Sequence, residues 1–218
     1  MPETVVFDMD GTLLSSDSTK IWITKQLKSH PFRLLSAIVV MPVVIPLMKF
    51  KKHRLLGISI FLWIATHGLN KQQLEEKFKI FAIEIKNNSI PNLYWFKDAI
   101  SELNAHLAQG RQIVIATGSP ELLTKELLKS IDLDVTYVGT TLKNKAGGWI
   151  GEIHCINEEK VRRLHAIGIN HEWFATYTDD IKNDYPILIN SKYPYLINAH
   201  KQKNPHRKLQ KIQYLKWE

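Results

Sequence analysis

Cysteine is almost absent from this chain: Cys155 is the only one in 218 residues. An internal disulfide is therefore excluded, and a reducing compartment is expected. The nine histidines are scattered, and no Cys/His spacing of the metal-ligand kind occurs. Internal repeats and low-complexity tracts are also missing. The first residues enter an apolar strand almost at once, which leaves no room for a signal peptide. The cytoplasmic side is the expected address. Acidic residues are in deficit, 21 Asp and Glu against 29 Lys and Arg, giving a formal net charge of +8 and a pI near 9.4. That balance calls for a polyanionic partner: nucleic acid, an anionic membrane surface or a phosphorylated substrate.

What is present is enough apolar material for a sizeable core, 44% of the residues. The length fits one α/β domain carrying an insertion. The most informative stretch is Val5-Val6-Phe7-Asp8-Met9-Asp10-Gly11-Thr12-Leu13. It reads as a short buried strand that stops at two aspartates one residue apart, with Gly11 permitting a tight turn. Open α/β sheets place their ligands at the carboxyl ends of strands, so Asp8 and Asp10 can reach one small site. Two carboxylates so close repel, and one pKa rises. A hard divalent cation removes that cost, and Mg²⁺ favours oxygen ligands and phosphate partners.

Further along, Asp17-Ser18 caps a helix to about Leu27. Leu34 to Met48 carries no charge and only Ser36 as a hydroxyl residue, and Pro42 and Pro46 interrupt it. A basic knot follows (Lys49, Lys51, Lys52, His53, Arg54), then a second apolar piece from Leu55 to Leu69. Each piece is shorter than the ~20 residues of a membrane-spanning helix. The pair fits an interfacial membrane contact or a buried hairpin inside a helical insertion. Lys71 to Lys86 has an apolar stripe of Leu74, Phe78, Phe81, Ala82 and Ile85, and Phe96 to Ala108 repeats the pattern through Ile100, Leu103 and Leu107. Gly110 is a C-cap.

Gln112 to Ala116 is a second buried strand, ending in Thr117-Gly118-Ser119-Pro120 and a helix start. Hydroxyls and free N–H groups at a helix N-terminus form an anion site. Val135 to Val138 is a strand, Gly147-Gly148-Trp149 turns an antiparallel excursion, and Glu158 opens a helix carrying Lys160, Val161, Leu164 and Ile167. Trp173 to Thr178 ends in Asp179-Asp180-Ile181-Lys182-Asn183-Asp184, a strand again terminating in acids. A short helix at Tyr185 to Leu188 and a last strand at Tyr195 to Ile197 follow. The tail from His200 is basic (Lys201, Lys203, His206, Arg207, Lys208, Lys211, Lys216), with Leu209, Ile212, Tyr214, Leu215 and Trp217 interleaved. It reads as a solvated tail packed on the body or as an electrostatic contact.

DMDGT after a hydrophobic strand resembles motif I of the haloacid dehalogenase (HAD) superfamily of phosphohydrolases. The resemblance implies a Rossmann-like α/β core of residues 1–15 and 110–218 with an inserted helical cap at 16–109. It implies an aspartyl-phosphate intermediate, with Asp8 as nucleophile and Asp10 as general acid and base. Thr117, with the Gly118 backbone, corresponds to the motif II residue that holds the phosphoryl group, and Lys160 to the motif III lysine. Mg²⁺ is then held by Asp8, Asp10, Asp179 and Asp184, with Asp180 as the alternative to Asp179. The apolar pair about a basic turn, TGSP, GGW and EEKV together resemble the phosphatidylglycerophosphatase C (YfhB-like) branch. That likeness implies a lipid phosphomonoester and peripheral contact with an anionic membrane rather than nucleic acid. A soluble phosphatase of the phosphoserine phosphatase type is the alternative enzyme. A basic membrane- or nucleic-acid-binding module with a vestigial site is the alternative of another class. The intact acids argue against it, since buried unpaired carboxylates are costly.

Overall fold

Val5, Val6 and Phe7 form β1 (Thr4–Phe7) and are fully buried. A strand buried on both faces belongs inside a parallel sheet. β1 pairs in parallel with β2 (Gln112–Pro120) on one side and with β6 (Trp173–Thr178) on the other, Val6 lying beside Val114 and Thr176. Strands β3 (Thr136–Thr140), β7 (Ser191–Ile197) and β8 (Gln213–Leu215) complete six parallel strands in the order β3-β2-β1-β6-β7-β8. The structure is a computed structural model and describes residues 2–170, 172–199 and 212–218. The basic tail residues Lys201 to Lys211 lie outside the described residues. The chain leaves β1 toward β2 and returns on the other flank at β6, which makes the crevice at the end of β1 the ligand position of such a sheet.

Five helices lie between β1 and β2: α1 (Ser18–Lys28), α2 (Pro31–Lys49), α3 (Arg54–Thr66), α4 (Lys71–Lys86) and α5 (Lys97–Ala108). Asp17 caps α1 by accepting from the Lys20 N–H, and Asn70 with Gln73 closes a reciprocal capping box at α4. Trp22 and Phe78 are buried with ring centroids 4.6 Å apart, joining α1 to α4. The antiparallel hairpin β4 (Leu142–Lys145) and β5 (Gly148–Gly151) is fastened to α3. Trp149 N donates to Thr66 Oγ1 at 2.9 Å, Gly151 N to Ser59 Oγ at 3.0 Å and Trp63 Nε1 to the Lys145 carbonyl at 2.9 Å. Helices α6 (Glu121–Ser130), α7 (Glu158–Ala166) and α8 (Tyr185–Ile189) connect the later strands.

The structure differs from expectation in several places. The first apolar piece is one continuous helix of 19 residues, with Pro42 and Pro46 inside it. The prolines are spaced four apart and exposed, so their missing hydrogen bonds fall on one face while the opposite face continues. By length and composition α2 is apolar enough to cross a membrane, contrary to the short pieces expected. Only Ala37 and Val44 on it are buried, whereas Phe32 is 74%, Val39 69% and Val43 72% exposed. α3 behaves oppositely and buries Leu62, Ile64 and Ala65. On α5 the inward residues are Ala99, Leu103 and His106, and Leu107 is exposed. Ile167 is an exposed C-cap rather than a core position, and β8 is a strand that short alternation did not announce.

Phe78 has no exposed surface, and truncating a buried aromatic removes both transfer energy and packing. Phe78→Ala should lower the unfolding free energy by about 3–5 kcal/mol in urea titrations followed by tryptophan fluorescence. A loss under ~1 kcal/mol would mean that α1 and α4 do not depend on this contact.

Candidate active site

The site is assembled from strand ends. The Asp8 N–H still bonds to the Tyr177 carbonyl at 2.9 Å, so β1 carries the Asp8 side chain to the very edge of the sheet. The chain then turns over Met9, whose carbonyl accepts from Leu13 N at 2.8 Å and Leu14 N at 2.9 Å. Gly11 sits in this turn at φ +80°, and a Cβ there would lie 2.2 Å from Asp179 Oδ2. Only glycine satisfies both demands. The motif thus needs Gly11 for its turn and for the approach of Asp179.

Lys160 reaches in from the first turn of α7 and is almost wholly buried. Its Nζ lies 2.8 Å from Asp8 Oδ1 and 2.6 Å from Asp184 Oδ1. The other Asp184 oxygen accepts from the Thr178 hydroxyl. Burial alone would depress the Lys160 ammonium, but Asp184 and Asp8 together outweigh it and raise its pKa. Burial lifts the Asp8 carboxyl well above its ordinary range; Lys160 opposes this, and Asp184 and Asp179 reinforce it. Asp179 is pushed up to about 7 by burial, then by Asp184 and Asp180. Among the described residues one ammonium therefore faces two buried carboxylates, Asp8 and Asp184, with Asp179 half-buried beside them.

Asp179 and Asp180 have different employment. Asp180 Oδ1 accepts from the N–H groups of Lys182 at 2.8 Å and Asn183 at 3.2 Å, and its other oxygen from the Asn183 amide. It shapes the loop after β6, whereas Asp179 faces the cluster beneath Gly11.

Asp10 is turned the other way. Its Oδ1 accepts from Ser18 N at 2.9 Å and its Oδ2 from the Ser119 hydroxyl. Burial and then Asp17 raise it to about 6, against the lowering effect of Ser119 and Ser18. Its carboxylate is thus placed by α1 and the end of β2, not among the acids around Lys160 with which it was expected to act. Thr117 is fully buried beside β1, and its Oγ1 accepts from Ser119 N at 3.1 Å. Gly118 presents its carbonyl to the Thr140 hydroxyl at 2.6 Å. Ser119 and Thr178 were not singled out from sequence; both are short hydroxyl residues whose role becomes visible only with their carboxylate partners. Cys155 is buried, which pushes its thiol up to about 12 and makes it a poor nucleophile.

A Mg²⁺ ion suits this donor set. Asp8, Asp179 and Asp184 offer only hard oxygen donors, and a single lysine leaves them with excess negative charge. Among the described residues no three Asp, Glu, His or Cys side chains are already drawn together at ligand spacing.

The family profile of haloacid dehalogenase-like hydrolases matches residues 5–188. A protein of unknown function from Bordetella pertussis Tohama I has a similar structure, with TM-score 0.70, 16% identity and 92% of each chain covered. A HAD family hydrolase from Salmonella enterica superposes with TM-score 0.61 at 15% identity, covering 92% of this chain and 65% of that one. A probable phosphoserine phosphatase from Vibrio cholerae gives TM-score 0.63 at 14% identity, covering 98% and 60%. The chain thus spans less than two thirds of the latter two proteins.

Crowded carboxyls impose a pH dependence on stability. Asp179 is raised in the fold relative to the unfolded chain, so the folded state binds more protons between about pH 4 and about pH 7. Its contribution is present at low pH and lost as the pH rises through about 7. Asp179→Asn should remove that part of the pH dependence, making the variant the more stable protein at pH 8 in chelator. Equal slopes for variant and wild type in urea unfolding from pH 5 to 8 would contradict the crowding.

Proposed function

The chain belongs to the haloacid dehalogenase-like hydrolase family, and from that membership we propose that it is a Mg²⁺-dependent phosphomonoesterase whose nucleophile is Asp8. The reading is carried by Asp8 itself, a buried carboxylate at the end of the central strand with its Oδ1 fixed 2.8 Å from Lys160. The second oxygen attacks phosphorus, the bond to the ester oxygen breaks, and an aspartyl-phosphate forms. Asp10 protonates the departing alkoxide and then takes the proton of the water that cleaves the acyl phosphate. Inorganic phosphate leaves and Asp8 is restored. The Thr117 hydroxyl, the Gly118 N–H and Lys160 hold the phosphoryl oxygens. Asp8, Asp179 and Asp184 are the residues that would hold Mg²⁺, and the Asp10 carboxylate, turned to Ser18 and Ser119, stands outside that set. When bound, the ion supplies the charge neutralisation that lets an anionic nucleophile meet an anionic ester. Asp180, spent on its own loop, is left out of that set. Residues 16–109 act as a cap over the core formed by 1–15 and 110–218, excluding water during transfer.

The preferred substrate is a lipid phosphomonoester of the phosphatidylglycerophosphate kind, as in the phosphatidylglycerophosphatase C branch that the chain resembles. The supporting observation is α2, whose Leu35, Val39 and Val43 recur every four residues and are 59%, 69% and 72% exposed. Lys49, Lys52 and Arg54 follow at its carboxyl end. Apolar surface beside cations is the composition of a contact with an anionic bilayer, to which each basic residue adds ~1 kcal/mol. On this reading the protein works at the cytoplasmic face of a membrane. The second reading is a small soluble phosphomonoester, favoured by the probable phosphoserine phosphatase among the structural neighbours.

Asp8→Asn should abolish Mg²⁺-dependent hydrolysis of p-nitrophenyl phosphate while retaining the fold, and retained turnover would remove Asp8 from its role. Wild-type protein should co-sediment with phosphatidylglycerol vesicles at low salt. Binding should weaken as the Debye length falls from ~10 Å at 0.1 M to ~3 Å at 1 M salt. Changing Leu35, Val39 and Val43 to Gln should abolish sedimentation and lipid-phosphate hydrolysis but spare p-nitrophenyl phosphate. If the wild type stays in the supernatant, the soluble substrate is the better reading.

A further inference from the structure

Ser119 is buried at the end of β2 and touches three groups. Its hydroxyl bonds to Asp10 Oδ2, stands 2.5 Å from Thr19 Oγ1 and lies 3.4 Å from Ser18 Oγ. Its N–H donates to Thr117 Oγ1 at 3.1 Å. Ser18 and Thr19 begin α1, the first helix of the proposed cap, and Ser18 N also bonds to Asp10 Oδ1 at 2.9 Å. One residue therefore ties the carboxylate after β1, the phosphoryl-holding end of β2 and the first turn of α1.

We propose that Ser119 is the positioning residue of Asp10, holding its carboxyl group at the departing oxygen in both of its protonation states and registering it to α1. The proposal rests on the phosphomonoesterase reading. A residue that must both give and take a proton alternates between carboxylic acid and carboxylate, one a donor and the other only an acceptor. The Ser18 N–H suits only an accepting oxygen. A serine hydroxyl suits both states, because it donates to the carboxylate and equally to the carbonyl oxygen of the acid, leaving the acid's proton free to face the departing oxygen. Thr19 supports that donation by giving its own proton to the Ser119 oxygen. Such a chain of hydroxyls strengthens when its members polarise one another. The position of Asp10 then depends on α1 being seated, so acid catalysis is complete only when the start of the cap is in place.

The test uses two esters. Departure of p-nitrophenolate needs no proton, whereas departure of glycerol from β-glycerol phosphate does, and kcat/KM reports the steps through that departure. Ser119→Ala should lower kcat/KM for β-glycerol phosphate by roughly 10- to 100-fold and for p-nitrophenyl phosphate by less than ~3-fold. Ser119→Thr, which keeps the hydroxyl, should recover most of the loss, and Thr19→Val should give a smaller loss of the same pattern. Equal losses on both esters, or none, would overturn the proposal. If the wild type hydrolyses neither ester, the phosphomonoesterase reading fails, and hydrogen exchange at the Ser18 amide still decides the tie. Faster exchange in Ser119→Ala upholds it, and unchanged exchange overturns it.

Discussion

Charge imbalance in a largely buried cluster governs the rest of this structure. Asp8, Asp179 and Asp184 converge from two strand ends and the following loop, and among the described residues Lys160 is the cation set against them. Removing carboxylates from water costs several kcal/mol each unless they are paired. The fold meets that cost partly through the two contacts of Lys160 and partly by raising the pKa of Asp8 and Asp179. This is an unfavourable arrangement for stability alone, and strained electrostatics of this kind mark functional sites. The Gly11 turn, the adjacent parallel strands and the seating of α7 can all be read as devices that keep the cluster together.

The elements that build this site were legible in sequence because each has a local cause. β1 and β6 are apolar runs cut off by acids, and α4 runs from Lys71 to Lys86, where its stripe and its Asn70 cap place it. Alternating strands and helices foretold the parallel sheet. The parts that stayed hidden depend on distant partners. The three-residue β8 exists because β7 offers it an edge, and Trp217 at its end joins the aromatic stack of Phe7, Tyr177 and Tyr195. Asp179 and Asp180 are chemically identical in sequence, and only the hydrogen bonds to Lys182 and Asn183 separate them. Ser119 looked like an ordinary helix-start residue until Asp10 was seen against it.

The apolar pair shows the same division. Sequence left open whether it packs inward or faces a membrane, and the two halves behave differently. α3 buries its residues under the hairpin β4–β5, while α2 buries only Ala37 and Val44 and turns its larger side chains outward. Acids at the sheet edge and an exposed apolar face on α2 thus lie on one chain.

The central claim is that Asp8 becomes phosphorylated, and trapping that bond tests it most directly. Protein mixed with a phosphate ester and Mg²⁺, quenched in acid within one turnover and digested, should yield a phosphorylated peptide containing Asp8. The label should be released by hydroxylamine, as an acyl phosphate is, and should be absent from Asp8→Asn. Steady turnover with no phosphopeptide, or with the label on another residue, would contradict the account.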